Sequence, residues 1–96
     1  MKTSQDPALL RAFAAELKAR RAVLGLNQEG LAFEAGLNRT FIAKLEVATS
    51  SPSLTSLIRL AEGLQVEPAE LVQSVMVRYR KELIRPSGLN TQSILS

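Results

Sequence analysis

Gln28-Glu29-Gly30-Leu31-Ala32-Phe33-Glu34-Ala35-Gly36-Leu37-Asn38-Arg39-Thr40-Phe41-Ile42-Ala43-Lys44-Leu45-Glu46 contains two short helical patterns separated by a glycine. Asn27 can cap the first helix and Asn38 the second, because a short side-chain oxygen accepts an amide that the first turn leaves free. Glu29 in the first turn suits the positive end of the helix dipole. Gly36 supplies the positive φ of a tight turn without a steric penalty. Ala32 is small enough for the second helix to cross close to the first. Leu31, Ala32 and Ala35 form one inner face, and Ile42 and Leu45 the other. With Ile42 and Leu45 inside, Arg39, Thr40, Ala43 and Lys44 face outward.

A helix presented in that way fits the major groove of DNA, where base edges carry distinct donor and acceptor patterns. Arg39 can fork onto guanine, Thr40 can hydrogen-bond or touch a thymine methyl, and Lys44 can reach a guanine or a phosphate. These three are the candidate base contacts. Gln28 stands at the start of its helix, where free amides and the dipole favour a phosphate. Asn27, Asn38 and Phe41 complete the candidate phosphate contacts, with packing the competing role for Phe41.

Working outward, Asp6-Pro7 opens a first helix, with Asp as cap and Pro at the first helical position. Its apolar stripe is Leu10, Phe13, Leu17 and Leu24, and Gly25 closes it. After Thr49-Ser50-Ser51-Pro52, Ser53 caps a fourth helix with an expected inner stripe of Leu54, Leu57, Ile58, Leu60, Ala61 and Leu64. Glu67-Pro68 opens a fifth. There Leu71 belongs to the core, and Val72, Val75, Met76, Tyr79 and Leu83 continue a second stripe. That stripe either folds back on the first helix or forms a homodimer interface, and the interface is the expectation. Arg78, Arg80, Lys81 and Arg85 are expected on a solvated face. Residues 1–6 read as an N-terminal tail, 7–85 as the domain with a possible dimerisation helix at 68–85, and 86–96 as a flexible C-terminal tail.

Composition narrows the function. The 96 residues make one domain. There is no cysteine and no histidine, which removes disulfides, the usual zinc ligands and the commonest general base. An enzyme, a metal site and a cofactor are therefore not expected. The net charge of +3 is compatible with a polyanionic partner but does not single one out. No apolar run is long enough to span a bilayer, and Met1 to Pro7 is polar, without the apolar core of a signal peptide, so no membrane association and a cytoplasmic location are expected.

The combined pattern resembles the Cro/C1-type helix-turn-helix domain of the XRE regulator family. The likeness rests on Leu17-Lys18-Ala19-Arg20-Arg21, Gly25-Leu26-Asn27-Gln28, then Ala32, Gly36, Ile42, Leu45 and Glu46. Pro52-Ser53-Leu54 and Leu60-Ala61-Glu62-Gly63-Leu64-Gln65-Val66 match its fourth helix. Asn38-Arg39-Thr40-Phe41-Ile42 also resembles controller proteins of restriction–modification systems. The resemblance implies an all-α, five-helix, lambda-repressor-like fold with an extended C-terminal helix. It further implies a homodimer on a palindromic operator of double-stranded DNA and transcriptional control, with a repressor expected and activation left open. It implies a structural ion pair between Arg21 and Glu46. This chain departs from the family at Ala48, where glycine is usual, and in a loop at 49–51 without basic residues. Two other readings remain open at this stage. One is an antitoxin that binds DNA and a toxin partner. The other is a protein-interaction module that keeps the fold without binding DNA.

Overall fold

A computed structural model describes residues 5–84. These form five helices: α1 (Pro7–Val23), α2 (Gln28–Ala35), α3 (Arg39–Glu46), α4 (Leu54–Gly63) and α5 (Pro68–Ile84). Arg85, the expected 86–96 tail and residues 1–4 lie outside the described residues. Among the described residues no helix is long and apolar enough to cross a membrane.

The starts follow the capping chemistry. Asp6 accepts from the amides of Ala8 and Leu9, Asn27 from Gly30, Asn38 from Thr40 and Phe41, and Ser53 from Ser56. The ends follow one device. Gly25, Gly36, Ala48 and Gln65 all adopt left-handed backbone, with φ of 69°, 66°, 62° and 61°. After each, the next amide reaches back five residues: Leu26 to Arg21 at 3.1 Å, Leu37 to Ala32 at 2.9 Å, Thr49 to Lys44 at 3.0 Å, Val66 to Ala61 at 3.0 Å. Carbonyls that the last turn would orphan are thereby satisfied. Only two of the four positions carry glycine, so Ala48 and Gln65 bear the steric cost of a Cβ in that region.

One core joins all five helices through Leu17, Leu31, Ile42, Leu45, Leu60 and Leu71, none of them accessible to solvent. Gly63, part of the fourth-helix match, sets a helix crossing. A Cβ there would lie 3.1 Å from the Ala35 amide nitrogen and 3.2 Å from its Cα, so α4 crosses α2 at backbone contact. Gly30 is similarly confined, by the Asn27 side chain at 3.2 Å and Leu26 at 3.3 Å.

Two expectations about apolar faces are corrected. On α4, Leu54 is 75% exposed and Ile58 37% exposed, while Leu60, Ala61 and Leu64 are buried. At 100° per residue, Leu54 and Ile58 lie to one side of the buried arc, so the stripe is wider than the core it meets. On α5, Val75 is buried in the chain's own core and Tyr79 packs against it, whereas Val72 and Leu83 are exposed and Met76 is half-buried. The second stripe therefore splits: Val75 and Tyr79 serve the fold, and Val72 and Leu83 remain outside.

The most extensive helix pairing is α1 with α5, and polar groups clasp it. Glu16 is buried and accepts from Arg20 Nε at 2.6 Å and Arg78 Nε at 2.7 Å. Arg20 Nη2 also donates to Ser74 Oγ at 3.0 Å, and Arg11 Nε to Glu82 at 2.9 Å. Tyr79 donates its hydroxyl proton to Asp6. Arg78 thus does more than decorate a solvated face. Burial pushes the Glu16 carboxyl up, but hydrogen bonds and charge from Arg78 and Arg20 outweigh it and hold the pKa below its ordinary 4.5.

Candidate nucleic-acid interface

The turn at Gly36 sets α3 across α2. Ile42 and Leu45 are fully buried, and Arg39, Thr40 and Lys44 are exposed, with Ala43 half-buried between them. The outward face of α3 is therefore a strip of Arg39, Thr40, Ala43 and Lys44. Phe41, expected as a possible phosphate contact, is half-buried and packs against the core. Packing therefore occupies part of the ring, and the half that stays exposed is what it could offer a phosphate.

The N-termini of α2 and α3 lie side by side. Asn27, Gln28, Glu29 and Arg39 line one open recess of about 470 Å³ with Arg21. Asn27 Oδ1 is engaged by the Gly30 amide at 2.7 Å, and Asn38 Oδ1 by the Thr40 amide at 2.7 Å. Each cap uses the side-chain oxygen, so what these residues can offer a phosphate is their amide N–H. Gln28 is half-buried, and Asn27 and Asn38 are exposed.

Beneath the recess, Arg21 and Glu46 form a two-point ion pair: Nε to Oε2 at 2.7 Å and Nη2 to Oε1 at 2.8 Å. Arg21 Nη1 donates to the Leu26 carbonyl at 2.9 Å. The Glu46 side chain is only 4% exposed. Burial pushes its carboxyl up, yet hydrogen bonds from Arg21 and Gln28, with the charges of Arg21 and Lys18, hold it below the ordinary 4.5. The same pair raises the Arg21 pKa, with the hydrogen bond to Glu46 outweighing burial.

Two contacts had no signal in the sequence. Gln28 Nε2 donates to Glu46 Oε1 at 3.0 Å. Arg59 on α4 donates to the Gly36 carbonyl at 3.4 Å, steadying the turn itself. A polar residue at the right helical spacing is visible in a sequence; the partner it meets from another helix is not.

A family model described as helix-turn-helix (HTH_3) matches residues 17–71. Control protein C.BamHI of Bacillus amyloliquefaciens is 38% identical over 47 residues, which are 49% of this chain and 58% of that protein. The match thus spans little more than half the length of this curated relative. Among solved structures, the restriction-modification controller protein C.AhdI from Aeromonas hydrophila is similar, with 39% identity, 65% of this chain and 94% of that chain covered, and a TM-score of 0.62. The controller protein C.Esp1396I, solved as a tetramer in complex with its natural 35 base-pair operator, is 27% identical; the match covers 76% of this chain and 96% of that one, with a TM-score of 0.70.

Proposed function

This chain belongs to the helix-turn-helix family, of the Cro/C1 or XRE type, and we propose from that premise that it is a sequence-specific transcriptional regulator of the restriction–modification controller kind. It binds double-stranded DNA with α3 in the major groove. One observation carries the reading: Ile42 and Leu45 are sealed in the core while Arg39, Thr40 and Lys44 stand in solvent on the opposite side. Those three residues read bases, and Gln28, Asn27 and Asn38 hold the flanking phosphates. The controller protein solved on its operator supports the assignment.

The regulator acts as a homodimer on a palindromic site, with its two recognition helices about 34 Å apart, one turn of DNA. The face that supports pairing is an apolar groove of about 200 Å³ lined by Leu9, Pro52, Leu57, Val72 and Met76. Leu54 and Ile58 stand exposed one turn apart on α4, next in sequence to that lining. Val75, although buried in the chain's own core, also lines this groove, whereas Tyr79 packs against the core and lies outside the lining.

The test is selection of bound duplexes from a random pool, followed by a salt titration on the enriched duplex. A symmetric consensus whose affinity falls steeply with salt is the expected result. Failure to enrich any sequence overturns the reading.

A further inference from the structure

We infer that Glu46 is a positioning residue for the DNA contact made by Gln28, and not only the anchor of Arg21. The inference rests on the DNA-binding reading above and adds a role within it.

The Glu46 carboxylate joins three helices. It is the last residue of α3, Arg21 lies in the last turn of α1, and Gln28 is the first residue of α2. Its Oε1 accepts two donors, Arg21 Nη2 at 2.8 Å and Gln28 Nε2 at 3.0 Å, and its Oε2 accepts Arg21 Nε at 2.7 Å. A glutamine amide can present either its oxygen or its nitrogen in a given direction. Here the choice is forced, since turning the amide over would set its oxygen against a buried carboxylate. One N–H is spent on Glu46, and the second remains for a phosphate at the start of α2, where the helix also leaves its first backbone amides unpaired.

Two consequences follow for binding. A free glutamine loses rotamer freedom when it grips a phosphate, whereas one already held by Glu46 loses less, so affinity rises through preorganisation. The phosphate contact and the recognition helix also move as one unit, because the residue that orients Gln28 is part of α3. A tilt of α3 in the groove carries the Gln28 amide with it.

A double-mutant cycle tests the inference, using the intact chain and the duplex enriched by selection at one fixed ionic strength. We expect Gln28→Ala to weaken binding roughly fivefold in the natural background and less than twofold in Glu46→Gln, as the loss of one oriented hydrogen bond implies. Equal factors in both backgrounds overturn the inference. A purely structural Glu46 gives that result, since loosening the Arg21 pair weakens binding whatever stands at 28. Should Glu46→Gln fail to fold, NMR of the unaltered chain decides. The two Gln28 side-chain N–H protons are expected to be well separated, with duplex shifting one and leaving the other. Two protons at ordinary solvent-exposed positions overturn the inference. An unaltered chain that binds no duplex overturns the DNA reading itself, a result distinct from equal factors in the cycle.

Discussion

Arg21 and Glu46 meet in a forked pair across the junction of α1 and α3, with both contacts under 3 Å and the carboxylate almost wholly enclosed. Removing the arginine strands a buried charge. Arg21→Ala is expected to destabilise the fold by about 3 kcal/mol, measured by urea denaturation. Arg21→Lys keeps the charge but not the fork, so it recovers only part of the loss. A change below about 0.5 kcal/mol in Arg21→Ala would place the pair among ordinary surface contacts.

Stability should fall in acid. Glu16 and Glu46 both have native pKa values held below the ordinary 4.5. A depressed carboxyl contributes stability in full above its unfolded pKa, and loses it as the pH falls through the native value. The urea midpoint should therefore be flat from neutrality down to about pH 5.5 and drop below 4.5. Glu46→Gln should flatten the drop. An unaltered pH profile in that variant would show that Glu46 titrates alike in the folded and unfolded chain.

Two glycine exchanges should have opposite signs. Ala48→Gly relieves a left-handed residue, with φ of 62°, and should stabilise by about 1 kcal/mol, net of the added freedom of the unfolded chain. Gly63→Ala drives a Cβ to 3.1 Å from the Ala35 backbone, which cannot yield as a side-chain tip can, and should cost about 1–3 kcal/mol. Thermal midpoints of the two variants check both.

These sites mark how far the sequence could be read. The four caps, the turn at Gly36 and the inward set of Leu31, Ala32, Ala35, Ile42 and Leu45 depend on local chemistry and spacing, and all were legible. Glu16 was not, because its burial depends on Arg78 from α5 meeting it across a helix pair. The left-handed ends at Ala48 and Gln65 lacked the glycine that signals them. On α4 and α5 the apolar stripe was legible but its division was not. Periodicity shows that a face is apolar; which part the chain itself covers depends on the crossing of the helices. At the candidate site, the exposed α3 residues could be placed, whereas the bond from Gln28 to Glu46 and the packing of Phe41 needed the third dimension.

Arg39→Ala should weaken binding to the selected duplex far more than to unrelated duplex, with about 1–3 kcal/mol of discrimination lost. Competition binding against both duplexes measures it. Equal losses on the two would assign Arg39 to phosphate alone.

Val72→Glu should weaken self-association without harming the fold, since Val72 is exposed beside the apolar groove. A charge at the centre of a desolvated interface is expected to lower dimer affinity at least tenfold, followed by sedimentation equilibrium. Truncation after Leu71 is a poorer probe, because it also removes Val75 and Tyr79 from the core. An unchanged dimer constant in Val72→Glu would move the interface elsewhere.

Helix α1 carries Glu16, which grips α5, and Arg21, which grips α3, about 7.5 Å apart along one axis. It therefore acts as a short strut between α5 and α3. If two copies join through α4 and α5, the strut transmits the geometry of that joint to the spacing of the half-sites. Sequence changes that leave every DNA-facing residue intact, yet loosen Glu16, would then blur which operator spacing is tolerated.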